Sequence, residues 1–377
     1  MDFIPYGKQN INKKDIKAVI KTLKSDFLTT GPKVKEFEYK LCEYTGAKYC
    51  VAVSNGTAAL HLASLALLDK NDKVLTTPNS FLATSNSILY AGAKPIFVDI
   101  GEDGNIDLDL CEKELKKDPT IEAIYAVHFS GKSVDQKKLK KLKEKYDIKI
   151  VEDCAHSLGA SFKGIKAGSC TYSNISTFSF HPVKHITTGE GGAITTNSKK
   201  LYEKLLLLRN HGMVKDSSMK PWEYEMRELG FNYRLTDISC ALGLNQIKRL
   251  DKFLKKRRKI AKEYDKAFKE TNTLVTALYP FDEESSYHLY VVKVKFDKLK
   301  ISKEEFFMKM REKGIGLQVH YIPINKQPFY KKLGYRKENT PNTDKYYKEV
   351  FSIPMYPGLK NKEQKYVIKS LFEVLND

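Results

Sequence analysis

Four short stretches carry residue types able to do chemistry. The first, SNGTAALHLA at 54–63, is a strand end running into a Ser-Asn-Gly-Thr turn that opens a helix. Free backbone N–H groups and the dipole at such a start suit a phosphate. Gly56 lets an anion approach the backbone, and Thr57 can cap the helix or bind a phosphate oxygen, although a plain N-cap explains the same residues. The second is IKIVEDCAHSLGA at 148–160. Ile148 to Glu152 read as a buried strand with Asp153 at its C-terminal end, where open parallel sheets bind ligands. A carboxylate there must be solvated, paired or used. Capping of the next turn is the alternative, and His156 taken alone reads as structural.

The third stretch is STFSFHPVKHITTGEGGAITT at 176–196. Lys184 follows an aromatic-rich strand and Ser179, and it precedes Gly189, Gly191 and Gly192. That is an odd place for a solvated charge, and surrounding groups can lower the pKa of such a lysine and make its amine nucleophilic. Against this stands the abundance of basic residues, 65 Lys plus Arg in the chain. The fourth, GFNYRLTDI at 230–238, places Asn232 and Arg234 inside an aromatic turn before a helix, which a loop cap would also explain.

These residues need a scaffold, and the apolar pattern supplies one. Asn12 and Asp15 mark a helix start, followed by Ile16, Val19, Ile20 and Leu23 at helical spacing; Val34, Phe37 and Leu41 mark a second helix ending near Gly46. KYCVAVSN leads into a small-residue helix from Thr57. Strand-like runs then occur at 73–77, 95–99, 121–128, 147–152, 175–180 and 193–196, with helical patterns between most of them. Such alternation predicts an α/β layer with a mostly parallel sheet. Residues 245–270 read as one long helix, with Lys255–Lys259 as a basic block on it. A different unit begins after about 285: a strand at 288–296, a helix at 302–314, a strand at 317–323 and a helical tail around SIPMYP at 352–357.

Composition bounds the class. The formal net charge is +19, from 65 basic and 46 acidic residues, which invites a nucleic-acid reading. No helix-turn-helix, finger or RNA-recognition signature accompanies it, and the lysines are spread over several solvated helix faces, so no nucleic-acid partner is expected. The six cysteines have no metal-site spacing and read as reduced thiols, and no metal is expected. No signal peptide is visible, and the longest apolar runs are far short of the ~18–20 residues of a membrane span. A cytoplasmic protein with no membrane partner is expected.

Phosphate turn, strand-end Asp, Ser-x4-Lys before glycines, then Asn-Tyr-Arg: in that order and at those separations, the set resembles the DegT/DnrJ/EryC1/StrS family of sugar aminotransferases. The likeness runs from LTTGP at 28–32 to SIPMYP. YHLYVV at 287–292, GKSV at 131–134 and GLQVHYIPI at 316–324 resemble the branch that serves pseudaminic acid biosynthesis.

The resemblance implies a type I aminotransferase fold. Its large α/β/α domain, with an N-terminal arm and a sheet of roughly seven strands, would cover 1–250. A smaller C-terminal α/β domain that includes the linking helix would cover 251–377, and the two would be held rigidly. The resemblance also implies pyridoxal phosphate, with Lys184 as the Schiff-base lysine and proton carrier and Asp153 on the pyridine nitrogen. His156 would lie against the ring and Phe81 would stack on it. Gly56, Thr57 and Ser179, with Asn232 from a second subunit, would hold the phosphate, which makes the protein a homodimer with shared sites. The sugar nucleotide would touch Tyr6, Asp26, Phe27, Leu28, Thr29, Gln318, Val319, His320 and Tyr321, and Arg234 would touch a phosphate or carboxylate. L-Glutamate would supply the amino group, and C4 of a UDP-linked 4-keto-6-deoxy-N-acetylhexosamine would receive it. Sugars of the bacillosamine, perosamine or viosamine routes remain the alternative. Related dehydratases carry histidine at the lysine position, so Lys184 implies transamination.

Overall fold

In the computed structural model, which describes residues 2–271, 274–335 and 338–376, the apolar runs of the first two hundred residues form one sheet. Its strands in chain order are β1 Tyr49–Val53, β2 Lys73–Thr76, β3 Lys94–Phe97, β4 Ile121–Val127 and β5 Lys149–Asp153. After a small hairpin (β6 Ser161–Phe162, β7 Ile165–Lys166) come β8 Ile175–Ser179 and β9 Gly192–Thr196. The spatial order is β1-β9-β8-β5-β4-β2-β3. Neighbours from β8 to β3 pair in parallel, while β9 runs antiparallel to both β8 and β1. The expected mostly parallel sheet is therefore present, with one reversed strand.

Both faces of that sheet are buried, which is why its strands read as continuous apolar runs. Along β1, Val51 and Val53 join one core and Cys50 and Ala52 another, as the period of two requires. The first core is covered by α3 Gly56–Leu67, whose Ala58, Ala59 and Ala63 let it sit close to the sheet. The second is covered by α2 Pro32–Thr45, with Phe37 and Leu41. Upstream, α1 Lys13–Leu23 starts with a full capping box between Asn12 and Asp15, and α2 ends at left-handed Gly46, as anticipated. Further crossover helices are α4 Leu82–Tyr90, α5 Leu108–Lys117 and α6 Gln136–Tyr146, followed by α7 Lys199–Arg209.

Two expectations are corrected. The helix read at 245–270 is two helices, α8 Asp237–Ile247 and α9 Leu250–Thr271. The break turns Arg249 inward onto Asp15 and the Asn10 carbonyl, and no glycine or proline announces it. The basic block is not all solvated either, since Arg257 is fully buried. The second correction concerns 317–323, which is not a strand. Only Gln318 bridges Ser352. Beyond it side-chain bonds replace the ladder: His320 Nδ1 meets Ser352 Oγ at 2.9 Å, and the Tyr321 N–H donates to Asn79 Oδ1 at 3.3 Å.

A short hairpin, β10 Met213–Val214 with β11 Glu225–Met226, lies before α8. After α9, β12 Val275–Ala277, β13 Tyr290–Val294 and β14 Val350–Ile353 form a three-stranded antiparallel sheet. It shares a core with α9, α10 Lys303–Glu312 and the C-terminal helix Asn361–Asn376. No described helix is long and apolar enough to cross a membrane.

Candidate active site

A cavity of about 1020 Å³ opens beyond the C-terminal ends of β5 and β8 and the start of α3. Its anion-accepting end is set by the turn after β1. Asn55, not Thr57, caps α3, its Oδ1 accepting the Ala58 N–H at 2.8 Å. The N–H groups of Gly56 and Thr57 are left without a partner among the described residues. A Cβ on Gly56 would come within 2.8 Å of Ser179 Cβ, so glycine is what lets β8 and the helix start share one wall.

Asp153 ends β5 at the cavity floor. It is buried, and its carboxylate accepts from Thr84 Oγ1 at 2.7 Å and from the Ala155 N–H at 3.0 Å. His156 lies one turn further on. Its Nδ1 accepts the Ser130 N–H at 3.3 Å, which places the ring proton on Nε2, 3.0 Å from the Tyr321 hydroxyl. Burial first, and the charge of Lys184 second, hold its pKa well below the usual imidazole range, so the ring is neutral. Phe81 stands at the start of α4, largely exposed, with its ring 6.1 Å from that of Tyr321.

Lys184 sits on the loop between β8 and β9, which left-handed Gly189 turns back toward the sheet. Burial draws its ammonium pKa down to about 8, against the opposing pull of the Asp153 charge. Its Nζ lies 3.5 Å from His288 Nε2. His185, beside it in sequence, is satisfied on one side only: Nε2 meets the Ser286 carbonyl at 3.2 Å, and Nδ1 is buried without a partner. His181 is exposed at the cavity wall. A lysine able to lose its proton near neutral pH, facing a buried carboxylate across a cavity with free N–H groups at one end, is equipped to capture an aldehyde and move protons.

The cavity gathers Gly56, Thr57, Phe81, Asp153, His156, Ser179 and Lys184 with Tyr6 and Gln318–Tyr321. It does not gather Asp26, Phe27, Leu28 or Thr29, which are exposed, with Thr29 bridged to Thr236. Nor does it gather Asn232, bridged to Asn210, or Arg234, which donates to Asn210 Oδ1 and lines a separate cavity. Within one chain these six residues lie away from Lys184's cavity. Sequence reasoning missed Thr84, Ser130 and His288. Each reaches the site from a distant element, so no local spacing marks it.

The relatives agree with this architecture. The chain is 46% identical over 373 residues, 99% of this chain and 97% of the relative, to the UDP-4-amino-4,6-dideoxy-N-acetyl-beta-L-altrosamine transaminase of Campylobacter jejuni (strain 81-176). It is 35% identical to the spore coat polysaccharide biosynthesis protein SpsC of Bacillus subtilis, over 99% of this chain and 97% of that protein. Among solved structures it superposes on Helicobacter pylori PseC, an aminotransferase involved in the biosynthesis of pseudoaminic acid, with a TM-score of 0.94, 33% identity and complete coverage of both chains. The PLP form of the putative sugar aminotransferase Spr1654 from Streptococcus pneumoniae gives 0.90, at 30% identity and 99% coverage of each chain. With the family model matching residues 9–372, the chain belongs to the DegT/DnrJ/EryC1/StrS aminotransferase family.

Proposed function

We propose that this protein is a pyridoxal phosphate-dependent aminotransferase of pseudaminic acid biosynthesis, moving the amino group of L-glutamate to C4 of a UDP-linked 4-keto-6-deoxy-N-acetylhexosamine. The observation that carries the reading is the pairing of Lys184 and Asp153 in one cavity of a chain that matches named transaminases over nearly its whole length.

The residues present fit the cofactor. Two free N–H groups beside a glycine that admits no Cβ suit a phosphate, a buried carboxylate suits a protonated ring nitrogen, and an easily deprotonated lysine suits an aldehyde. Bound there, pyridoxal phosphate supplies an aldehyde that takes up an amine and a ring that accepts the electrons left when a proton leaves carbon. Lys184, with its amine uncharged, would accept a proton from the amino-acid carbon in the first half-reaction and, as the ammonium, give one to the sugar carbon in the second, with the cofactor carrying the amino group and a carbon-bound proton between the two halves. Asp153, kept in place by Thr84 and the Ala155 N–H, holds the proton on the ring nitrogen. Gly56, Thr57 and Ser179 would hold the phosphate, and Phe81 would lie against the ring. Tyr6 and Gln318–Tyr321 form the sugar side of the cavity, where their polar groups orient the substrate and help exclude water.

The reading extends to assembly. Exposed apolar residues along α1 (Ile16, Ile20, Leu23), at Phe27 and Leu28, and around the β10–β11 hairpin (Trp222, Tyr224, Met226, Leu229) suit a surface covered by a second copy. The partner subunit's Asn232 would then reach the phosphate, and Arg234 and Asp26–Thr29 would serve a site shared between subunits. In this reading residues 1–250 form the cofactor-binding unit and 251–377 the smaller one, in a cytoplasmic enzyme. The test is an assay with glutamate and a panel of 4-keto sugar nucleotides, following 2-oxoglutarate release and product configuration. Turnover confined to UDP-linked 4-keto-6-deoxy-N-acetylhexosamines is expected. A preference for dTDP- or GDP-linked sugars would overturn the substrate assignment.

A further inference from the structure

The segment before β13 is pinned with unusual force. Arg257, on α9, is among the largest fully buried side chains, and no carboxylate pairs with it among the described residues. Its Nη1 instead donates to the carbonyls of Tyr287, His288 and Met355 at 3.1, 3.1 and 3.0 Å. Burial draws its pKa down to about 9. Arg258 beside it donates to the Ser285 carbonyl at 3.0 Å. From the other side, the Ser286 N–H donates to the Gly131 carbonyl and the Leu289 N–H to the Ser130 carbonyl. Within this clamp Tyr287 adopts φ 46°, a conformation costly for an aromatic residue.

The clamped segment delivers one side chain to the cavity. The His288 ring lies 4.3 Å from that of His156, with Nε2 3.5 Å from Lys184 Nζ. The groups whose charge acts on or is felt from Lys184 are Asp153 of β5, His156 after it, His185 on its own loop, His288, and His320. Burial keeps all four imidazoles neutral, His320 down to about 3. Among the described residues, His288 is the one that a hydrogen bond joins to the amine. The two central rings differ in a telling way. His156 is fixed in one tautomer by the Ser130 N–H on Nδ1, whereas His288 Nδ1 is buried without a partner. Nothing therefore locks the His288 proton. Its Nε2 can accept from a protonated Lys184 or donate to a neutral one.

We propose that His288 is a positioning residue for Lys184: its Nε2 gives the free amine a fixed resting place in the cavity, and Arg257 holds the backbone that carries the ring. The proposal rests on the reading of Lys184 as the cofactor-bonding lysine. The amine is free whenever a substrate nitrogen has replaced it on the cofactor. A docked amine then stays where it can move protons, instead of sampling rotamers.

The test uses cofactor-free protein, so it does not depend on turnover. Reductive methylation of Lys184 across pH is read by peptide mass spectrometry in wild type, His288→Phe and His288→Gln. Phenylalanine keeps the ring and removes the acceptor; glutamine keeps an acceptor. Wild type should titrate near 8. His288→Phe should titrate roughly one pH unit lower, the size of one hydrogen bond to a charged group, and His288→Gln should stay close to wild type. If His288→Phe does not fold, His288→Asn, whose shorter side chain withdraws the acceptor, is compared with His288→Gln in its place. Titration of the acceptor-free variant together with wild type, or an equal shift in His288→Gln, overturns the proposal. Failure of the underlying reading looks different, because borohydride reduction of wild type with bound cofactor would then mark some lysine other than Lys184.

Discussion

On the proposed reading, Asp153 and Lys184 divide the work of the site. Asp153 is held in place by hydrogen bonds from Thr84 Oγ1 and the Ala155 N–H, while burial pushes Lys184 toward its neutral form. Asp153→Asn keeps an acceptor for Thr84 but carries no charge to hold a proton on a ring nitrogen. Turnover with glutamate should fall by roughly 10²–10⁴ with the cofactor still bonded to Lys184, and a loss under tenfold would remove Asp153 from that role. Lys184 sets a pH dependence whose sign follows from its depressed pKa. Below about 8 the amine is protonated in the folded and unfolded chain alike. Between about 8 and the ~10.4 of a solvated lysine, only the unfolded chain holds the proton, so this residue's contribution makes the cofactor-free fold gain stability as pH rises through that window. Covalent capture of added pyridoxal phosphate, which needs the neutral amine, should climb with pH and level off above about 8 when followed by absorbance. A midpoint at the solvated-lysine value would contradict a desolvated amine. Strand ends and neighbouring glycines single out Lys184, Asp153 and Ser179 as candidates in the sequence, but local pattern leaves a bland reading open for each, and their proposed roles come from the family resemblance. Thr84 and His288 were not legible. The first reaches Asp153 across 69 residues of sequence and the second reaches Lys184 across 104, and only the folded sheet brings them together.

On the proposed reading, cofactor binding turns on the start of α3. Gly56→Ala would place a Cβ 2.8 Å from Ser179 Cβ, forcing apart the two walls that leave the Gly56 and Thr57 N–H groups free. Cofactor affinity should weaken at least ~10-fold in an equilibrium titration, with the far-ultraviolet spectrum unchanged, since the lost interactions are local. An unaltered affinity would place the anion elsewhere. Strands of the large sheet were readable within a residue or two because burial on both faces puts apolar or small residues on both sides of most strands, with Ser and Thr in β8 and β9 and charges mainly at strand ends. The misread elements were decided by tertiary contacts. Arg249 breaks the helix run to reach Asp15, and His320 and Tyr321 leave the ladder to bond Ser352 and Asn79. Alternation of apolar residues cannot encode either event.

For the whole molecule, the net charge of +19 looked at first like a pointer to nucleic acid. Family membership gives it a smaller part: a basic field can draw an anionic cofactor, amino acid and sugar nucleotide, and the even scatter of lysines fits plain surface solvation equally well. Assembly is the stronger prediction at this scale. If Lys184 of one subunit works with the partner's Asn232, Lys184→Ala and Asn232→Ala proteins should each be nearly inactive alone. After mixing under subunit exchange they should recover about a quarter of wild-type turnover, because half the dimers then hold one intact site of two. No recovery, despite exchange shown by light scattering and native mass spectrometry, would argue for sites built from single chains.

The central claim is that Lys184 is the lysine that bonds to the cofactor. Borohydride reduction of the cofactor-loaded protein, then digestion and peptide mass spectrometry, tests it most directly. One pyridoxyl adduct is expected, on the peptide that holds Lys184, and it should disappear when glutamate is added before reduction. An adduct on any other lysine, or one untouched by glutamate, would contradict it.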